Sequence, residues 1–96
     1  MLERTVEKYL TDRVRALGGA AHKWRGAGGN PDRIVCLPDG ATWFIEVKAP
    51  GGRLSPLQAV FRDQLLKLNQ RYAVVWNKED VDKWITIATT LSAGSR

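Results

Sequence analysis

Pro31-Asp32-Arg33-Ile34-Val35-Cys36-Leu37-Pro38-Asp39-Gly40-Ala41-Thr42-Trp43-Phe44-Ile45-Glu46-Val47-Lys48 decides the fold, because it holds two strand-like runs and the turn between them. Arg33 to Leu37 and Thr42 to Val47 are rich in β-branched and aromatic residues, and Pro38-Asp39-Gly40 carries hairpin-turn chemistry. On a strand, neighbours face opposite ways and residues two apart share a face, so Glu46 and Lys48 point together while Val47 points away. A three-residue loop pairs Leu37 with Ala41 and sets Asp32 opposite Glu46. A two-residue loop of Asp39-Gly40 pairs Arg33 with Glu46 instead and sends Asp32 to the other face. The longer loop therefore gathers Asp32, Glu46 and Lys48 on one patch. Two carboxylates placed this way suit a hard cation such as Mg²⁺, with the Val47 carbonyl as a further oxygen donor. Lys48 would then steady negative charge on a phosphate or orient water. The plain alternative is an exposed Glu-Lys pair on an edge strand beside a turn aspartate.

Working outward, apolar residues recur at Leu2, Val6, Leu10, Val14 and Leu17, one face of a helix that Gly18-Gly19 ends. Ala20 to Trp24 reads as a short strand, followed by a glycine-rich loop from Arg25 to Asn30. After the hairpin, Ala49-Pro50-Gly51-Gly52 breaks the chain. Ser55 then caps a helix with proline in its first turn and Gln58 three residues on, and Leu57, Phe61, Leu65 and Leu68 are its expected buried face. Tyr72 to Trp76 is a strand-length apolar run. Asn77 caps a last helix with a stripe of Val81, Trp84, Ile85 and Ala88. A strand that follows a long helix returns parallel to a neighbour by a right-handed crossover, so a mixed sheet flanked by helices is expected. The chain reads as a single domain over residues 1–91 with a frayed tail at 92–96.

At 96 residues there is room for one small core. A net charge of +5 and a pI near 9.8 imply attraction to polyanions. A basic protein that concentrates acidic residues at one site fits an enzyme of nucleic acid that holds a metal. The single cysteine, Cys36, excludes an internal disulfide or cysteine-rich zinc site and is expected to be a small buried hydrophobe. No stretch approaches the ~20 apolar residues of a membrane span and the N-terminus is not a signal peptide, so a cytoplasmic protein is expected. His22 alone forms no Ser-His-Asp constellation and is read as structural or as a phosphate contact. Trp43, Phe44, Tyr72 and Trp76 are read as core, with a dimer interface as the other use.

A third carboxylate from the first helix would complete a metal site. Glu7 lies at the margin of the apolar stripe and Glu3 falls within it near the helix start, where an acidic residue also serves the helix dipole. Gln58 either closes a capping box on Ser55 or reaches the site, and the two roles are compatible. Lys23, Arg25 and Arg33 flank the glycine-rich loop, and Arg53 extends a basic rim; these four are the candidate DNA contacts. Nothing matches a nucleotide-binding loop.

Together these residues resemble the VRR-NUC family within the PD-(D/E)xK nuclease superfamily. The likeness rests on the early helix with Glu7 before Gly18-Gly19, on Gly29-x-Pro31-Asp32, on Phe44-Ile45-Glu46-Val47-Lys48-Ala49-Pro50-Gly51, and on Leu54-Ser55-x-x-Gln58. It spans roughly Glu3 to Trp84. It implies a restriction-endonuclease-like αβββαβ core and Mg²⁺ or Mn²⁺ held by Glu7, Asp32, Glu46 and the Val47 carbonyl. It also implies that Lys48 is catalytic and that Gln58 lies at the site. Stand-alone members of this size resemble phage or bacterial Holliday-junction resolvases, homodimers that act in repair and recombination. The expected activity is hydrolysis of phosphodiesters in branched double-stranded DNA. The alternatives are a flap or restriction-like nuclease, or a non-catalytic nucleic-acid-binding module of the same fold.

Overall fold

The computed structural model describes residues 2–26 and 28–94, with side chains in the last helix described up to Thr90. Elements follow in the order α1 (Glu3–Ala16), β1 (Ala20–Lys23), β2 (Arg33–Cys36), β3 (Thr42–Val47), α2 (Pro56–Lys67), β4 (Arg71–Val75) and α3 (Lys78–Gly94). The expected tail falls at and beyond the end of α3, and Ser95 and Arg96 lie outside the described residues.

The three-residue loop sets the hairpin register. Leu37 N–H donates to the Ala41 carbonyl (2.9 Å), Gly40 N–H to the Leu37 carbonyl (3.0 Å), and Ala41 N–H to the Asp39 carboxylate (3.0 Å). Gly40 sits at φ +92°, a backbone state that costs glycine nothing. From this turn Cys36 pairs with Thr42 and Arg33 with Ile45, and the same antiparallel register leads on to Asp32 opposite Glu46. The sheet order is β1-β2-β3-β4, with β4 parallel to β3, so the parallel return after α2 forms as expected.

One face of the sheet carries the core. Val35, Ile45 and Val47 are fully buried against Val6, Leu10 and Val14 of α1, with Val81, Trp84, Ile85 and Ala88 of α3 in the same cluster. Each valine, leucine and isoleucine among them contributes about 1.5–3 kcal/mol by leaving water. Tyr9 of α1 also donates to the Asp82 carboxylate of α3 at 2.8 Å, tying the two helices across their seam. Leu2 and Leu17, expected in the α1 stripe, are 57% and 38% exposed because they occupy the helix caps rather than the face between them. Gly18, at φ +86°, closes α1: its N–H bonds the Arg15 carbonyl and the Gly19 N–H bonds that of Val14.

The opposite face is covered by α2 only in part, and two expectations fail there. Leu57 and Leu68 are 66% and 60% exposed, while Leu65 is buried and Phe61 half-buried. The helix is rotated so that the row Gln58, Phe61, Leu65 meets the sheet and Leu57 lies on its flank. Cys36 is exposed rather than buried. Val35 takes the core face, so Cys36 turns to the other side on a strand that α2 does not cover.

Candidate active site

The partly covered face is where the hairpin register matters. Asp32 stands just before β2 and Glu46 near the end of β3, across from each other, with Lys48 two residues on. Glu46 is 1% exposed, the one buried charged residue among those described. Its carboxyl lies within hydrogen-bonding reach of Asp32. The other Asp32 interaction fixes its place: Oδ2 accepts from the Val47 N–H at 2.7 Å. Asn30 braces the approach to Asp32, donating from Nδ2 to the carbonyls of Trp24 (2.8 Å) and Pro31 (3.2 Å). Sequence reasoning missed that brace, whose only signal is an asparagine in a glycine-rich turn ahead of proline.

Gln58 performs both of its candidate roles. Its Oε1 accepts from the Ser55 N–H at 2.8 Å and its N–H donates to the Ser55 hydroxyl at 3.2 Å, a full capping box. Its Nε2 meanwhile donates to Glu46 Oε1 at 3.3 Å. The cap thus holds the amide over the carboxylate. Lys48 is half-buried, its backbone N–H donates to the Val75 carbonyl at 2.9 Å, and its ammonium favours ionisation of Glu46. Among the described residues it has no ion-pair partner.

Glu7 and Arg33 engage each other. Glu7 Oε2 accepts from Arg33 Nε at 2.8 Å, and each side chain is about 19% exposed. Arg33, read as a DNA contact, is thus spent on Glu7 and on the Ala21 carbonyl (3.1 Å). The reason is the register: Arg33 pairs with Ile45 and so faces α1, opposite to Asp32. Glu3 is the helix carboxylate whose charge bears on Glu46. Lys23, Arg25 and Arg53 are exposed at the surface, as is His22.

Burial, then the Asp32 hydrogen bond and the Asp32 charge, push the Glu46 carboxyl up to about 9. Burial and the Glu46 charge likewise push the Tyr72 phenol up to about 12, and its buried hydroxyl has no hydrogen-bond partner among the described residues. Without a cation, the acidic pair therefore keeps a proton that a solvated glutamate would lose. From about 4.5 up to about 9, native Glu46 holds a proton that the unfolded chain releases, so its contribution to stability falls as pH rises. In EDTA, the melting temperature of Glu46→Gln relative to wild type is expected to climb between about pH 5 and pH 8.5. Differential scanning fluorimetry across that range checks it, and a constant gap would count against the paired carboxyls.

The donor set suits a hard divalent ion: two adjacent carboxylates and a backbone carbonyl, with one carboxylate held protonated by burial and by its neighbour's charge. No group of three or more histidine, cysteine or acidic side chains converges among the described residues, so water would fill the remaining positions. That is ordinary for Mg²⁺, which retains several waters.

No family model matches the chain. It is 40% identical over 75 residues to "Putative nuclease p44" of Acyrthosiphon pisum secondary endosymbiont phage 1, covering 76% of this chain and 81% of that protein. A solved structure described as "VRR_NUC domain" superposes with a TM-score of 0.83 at 37% identity, covering 88% of this chain and 94% of the other. The fold is therefore the restriction-endonuclease-like one, and with relatives this similar over most of their length the chain belongs to the VRR-NUC nuclease family.

Proposed function

We propose that this protein is a Mg²⁺- or Mn²⁺-dependent endonuclease that hydrolyses phosphodiesters in branched DNA such as four-way junctions. The observation that supports it most is the Asp32–Glu46 pair, two carboxylates in contact with Lys48 and Gln58 beside them. Asp32, Glu46 and the Val47 carbonyl would hold the cation, which when bound supplies positive charge to the phosphate and acidifies water. Asp32 accepts from the Val47 N–H and Glu46 from the Gln58 amide, so both carboxyls are oriented before the substrate arrives. Lys48 places an ammonium where charge builds on the phosphate oxygens. Lys23, Arg25 and Arg53 supply sequence-independent attraction to the backbone.

Symmetric cutting of two strands needs two sites and each chain carries one, so a C2 homodimer is the economical assembly. Phosphate contacts serve any duplex and fade with salt, so they give no preference for junctions, whereas two sites at fixed separation do. The test is cleavage of four-way junction, flap and linear duplex, with and without Mg²⁺ or Mn²⁺, alongside light scattering. The expected result is a dimer that cuts the junction fastest at moderate salt, only with metal. A monomer with equal rates would replace this reading by a flap or restriction-like nuclease, and binding without cleavage by a non-catalytic module.

Glu7 is proposed as the helix ligand, which requires it to exchange Arg33 for the cation. Glu7→Gln is expected to lower single-turnover rates more than Glu3→Gln, because it removes a carboxylate and strands a half-buried arginine. Mn²⁺ titration separates the two effects: weaker metal affinity marks a ligand, whereas unchanged affinity with a lower melting temperature marks the ion pair alone. The reverse ranking of rates would move the ligand to Glu3, whose charge already reaches Glu46.

A further inference from the structure

The exposed flank of α2 lies next to the catalytic pair. Leu57 and Val60, one helical turn apart, are each 66% exposed. Leu57 directly precedes Gln58, whose amide touches Glu46. It also closes on the turn that leads into Asp32: a Cβ on Gly29 would lie 2.9 Å from the Leu57 carbonyl oxygen and 3.0 Å from its Cβ. Below this flank, Phe61 packs edge-on against Trp24 at 5.5 Å between ring centroids, and Trp24 leans on Phe44 at 5.7 Å. The Trp24 backbone N–H donates to the Asp32 carbonyl at 3.1 Å, which ties the segment carrying this ring to the one carrying Asp32. Arg53, exposed, lies just ahead of α2 at the same end as Leu57.

Two apolar side chains held in water beside a phosphodiester site, with an exposed arginine just ahead of them in the chain, have a specific chemical complement. Cations take the phosphates, and apolar side chains take base faces that have lost their stacking partners. A fully paired duplex offers few such faces, whereas a branch point or flap offers several. Resting on the nuclease reading above, we infer that Leu57 and Val60 form a ridge that packs against unpaired bases and so selects DNA with local strand separation. The occupant is a nucleobase rather than a protein, because the ridge is continuous with the carboxylates and exposed Arg53 lies at the same end of α2.

The test compares wild type, Leu57→Ser/Val60→Ser and Leu68→Ser. Leu68 is 60% exposed at the far end of α2 and serves as the control for loss of an exposed leucine. Affinity is measured by fluorescence anisotropy with Ca²⁺ in place of the catalytic metal. The probes are a duplex with a central unpaired tract and a fully paired duplex of equal length. The double variant is expected to bind the unpaired-tract probe roughly tenfold more weakly and the paired probe within about twofold of wild type. Leu68→Ser should match wild type on both, and all three should melt within a few degrees of one another. Equal losses on both probes, or no loss on either, would overturn the ridge. Cleavage is scored separately with Mg²⁺: a wild type that binds selectively but never cuts refutes the nuclease reading while leaving the ridge supported.

Discussion

Lys48→Ala is expected to abolish nearly all cleavage while DNA binding stays close to wild type. The ammonium sits on the same strand face as Glu46 and takes no ion-pair partner among the described residues, so it is available to the phosphate. A charge aimed at oxygens that become more negative along the reaction acts on the transition state more than on bound substrate. Loss of one such group costs roughly 10²–10³-fold in turnover, about 2.7–4 kcal/mol. Affinity comes instead from several surface cations, of which Lys48 is at most one. Single-turnover cleavage and anisotropy on the same substrate decide the matter. Turnover within a few-fold of wild type removes Lys48 from the reaction, and a parallel collapse of binding makes it an anchor rather than a catalyst.

Asp32→Asn is expected to produce two effects of opposite sign. An asparagine oxygen can still accept the Val47 N–H, so the local backbone is retained. Removing a negative charge next to buried Glu46 lowers the cost of ionising it, so the metal-free variant should melt at least as high as wild type near neutral pH. The same change takes a carboxylate from the cation. The loss in Mn²⁺ affinity should exceed the roughly 10–100-fold typical of losing an outer partner of a metal ligand. Calorimetric titration and melting curves on the one variant report both. Wild-type Mn²⁺ affinity would place the metal elsewhere, and a much lower melting temperature would make Asp32 a structural hydrogen-bond acceptor first.

Whatever depends on chain neighbours is legible in the sequence alone. Pro38-Asp39-Gly40 sets the hairpin register, and through strand alternation puts Asp32 across from Glu46 and Lys48 on the same face. Ser55 and Gln58 determine their own capping box, and the stripes of α1 and α3 declare the core because one face of each is nearly all apolar. What tertiary structure decided is how each element is turned against its neighbours. Leu57 and Leu68 belong to an apolar row in sequence, yet α2 rotates Gln58, Phe61 and Leu65 to the sheet instead. Cys36 is exposed because α2 spans only part of that face, and nothing in a strand's own residues states how far a distant helix reaches. Arg33 and Glu7, far apart in sequence, pair because β2 turns Arg33 toward α1. Local bonds are set by adjacent residues, whereas helix rotation and charge pairing follow from packing all the surfaces at once.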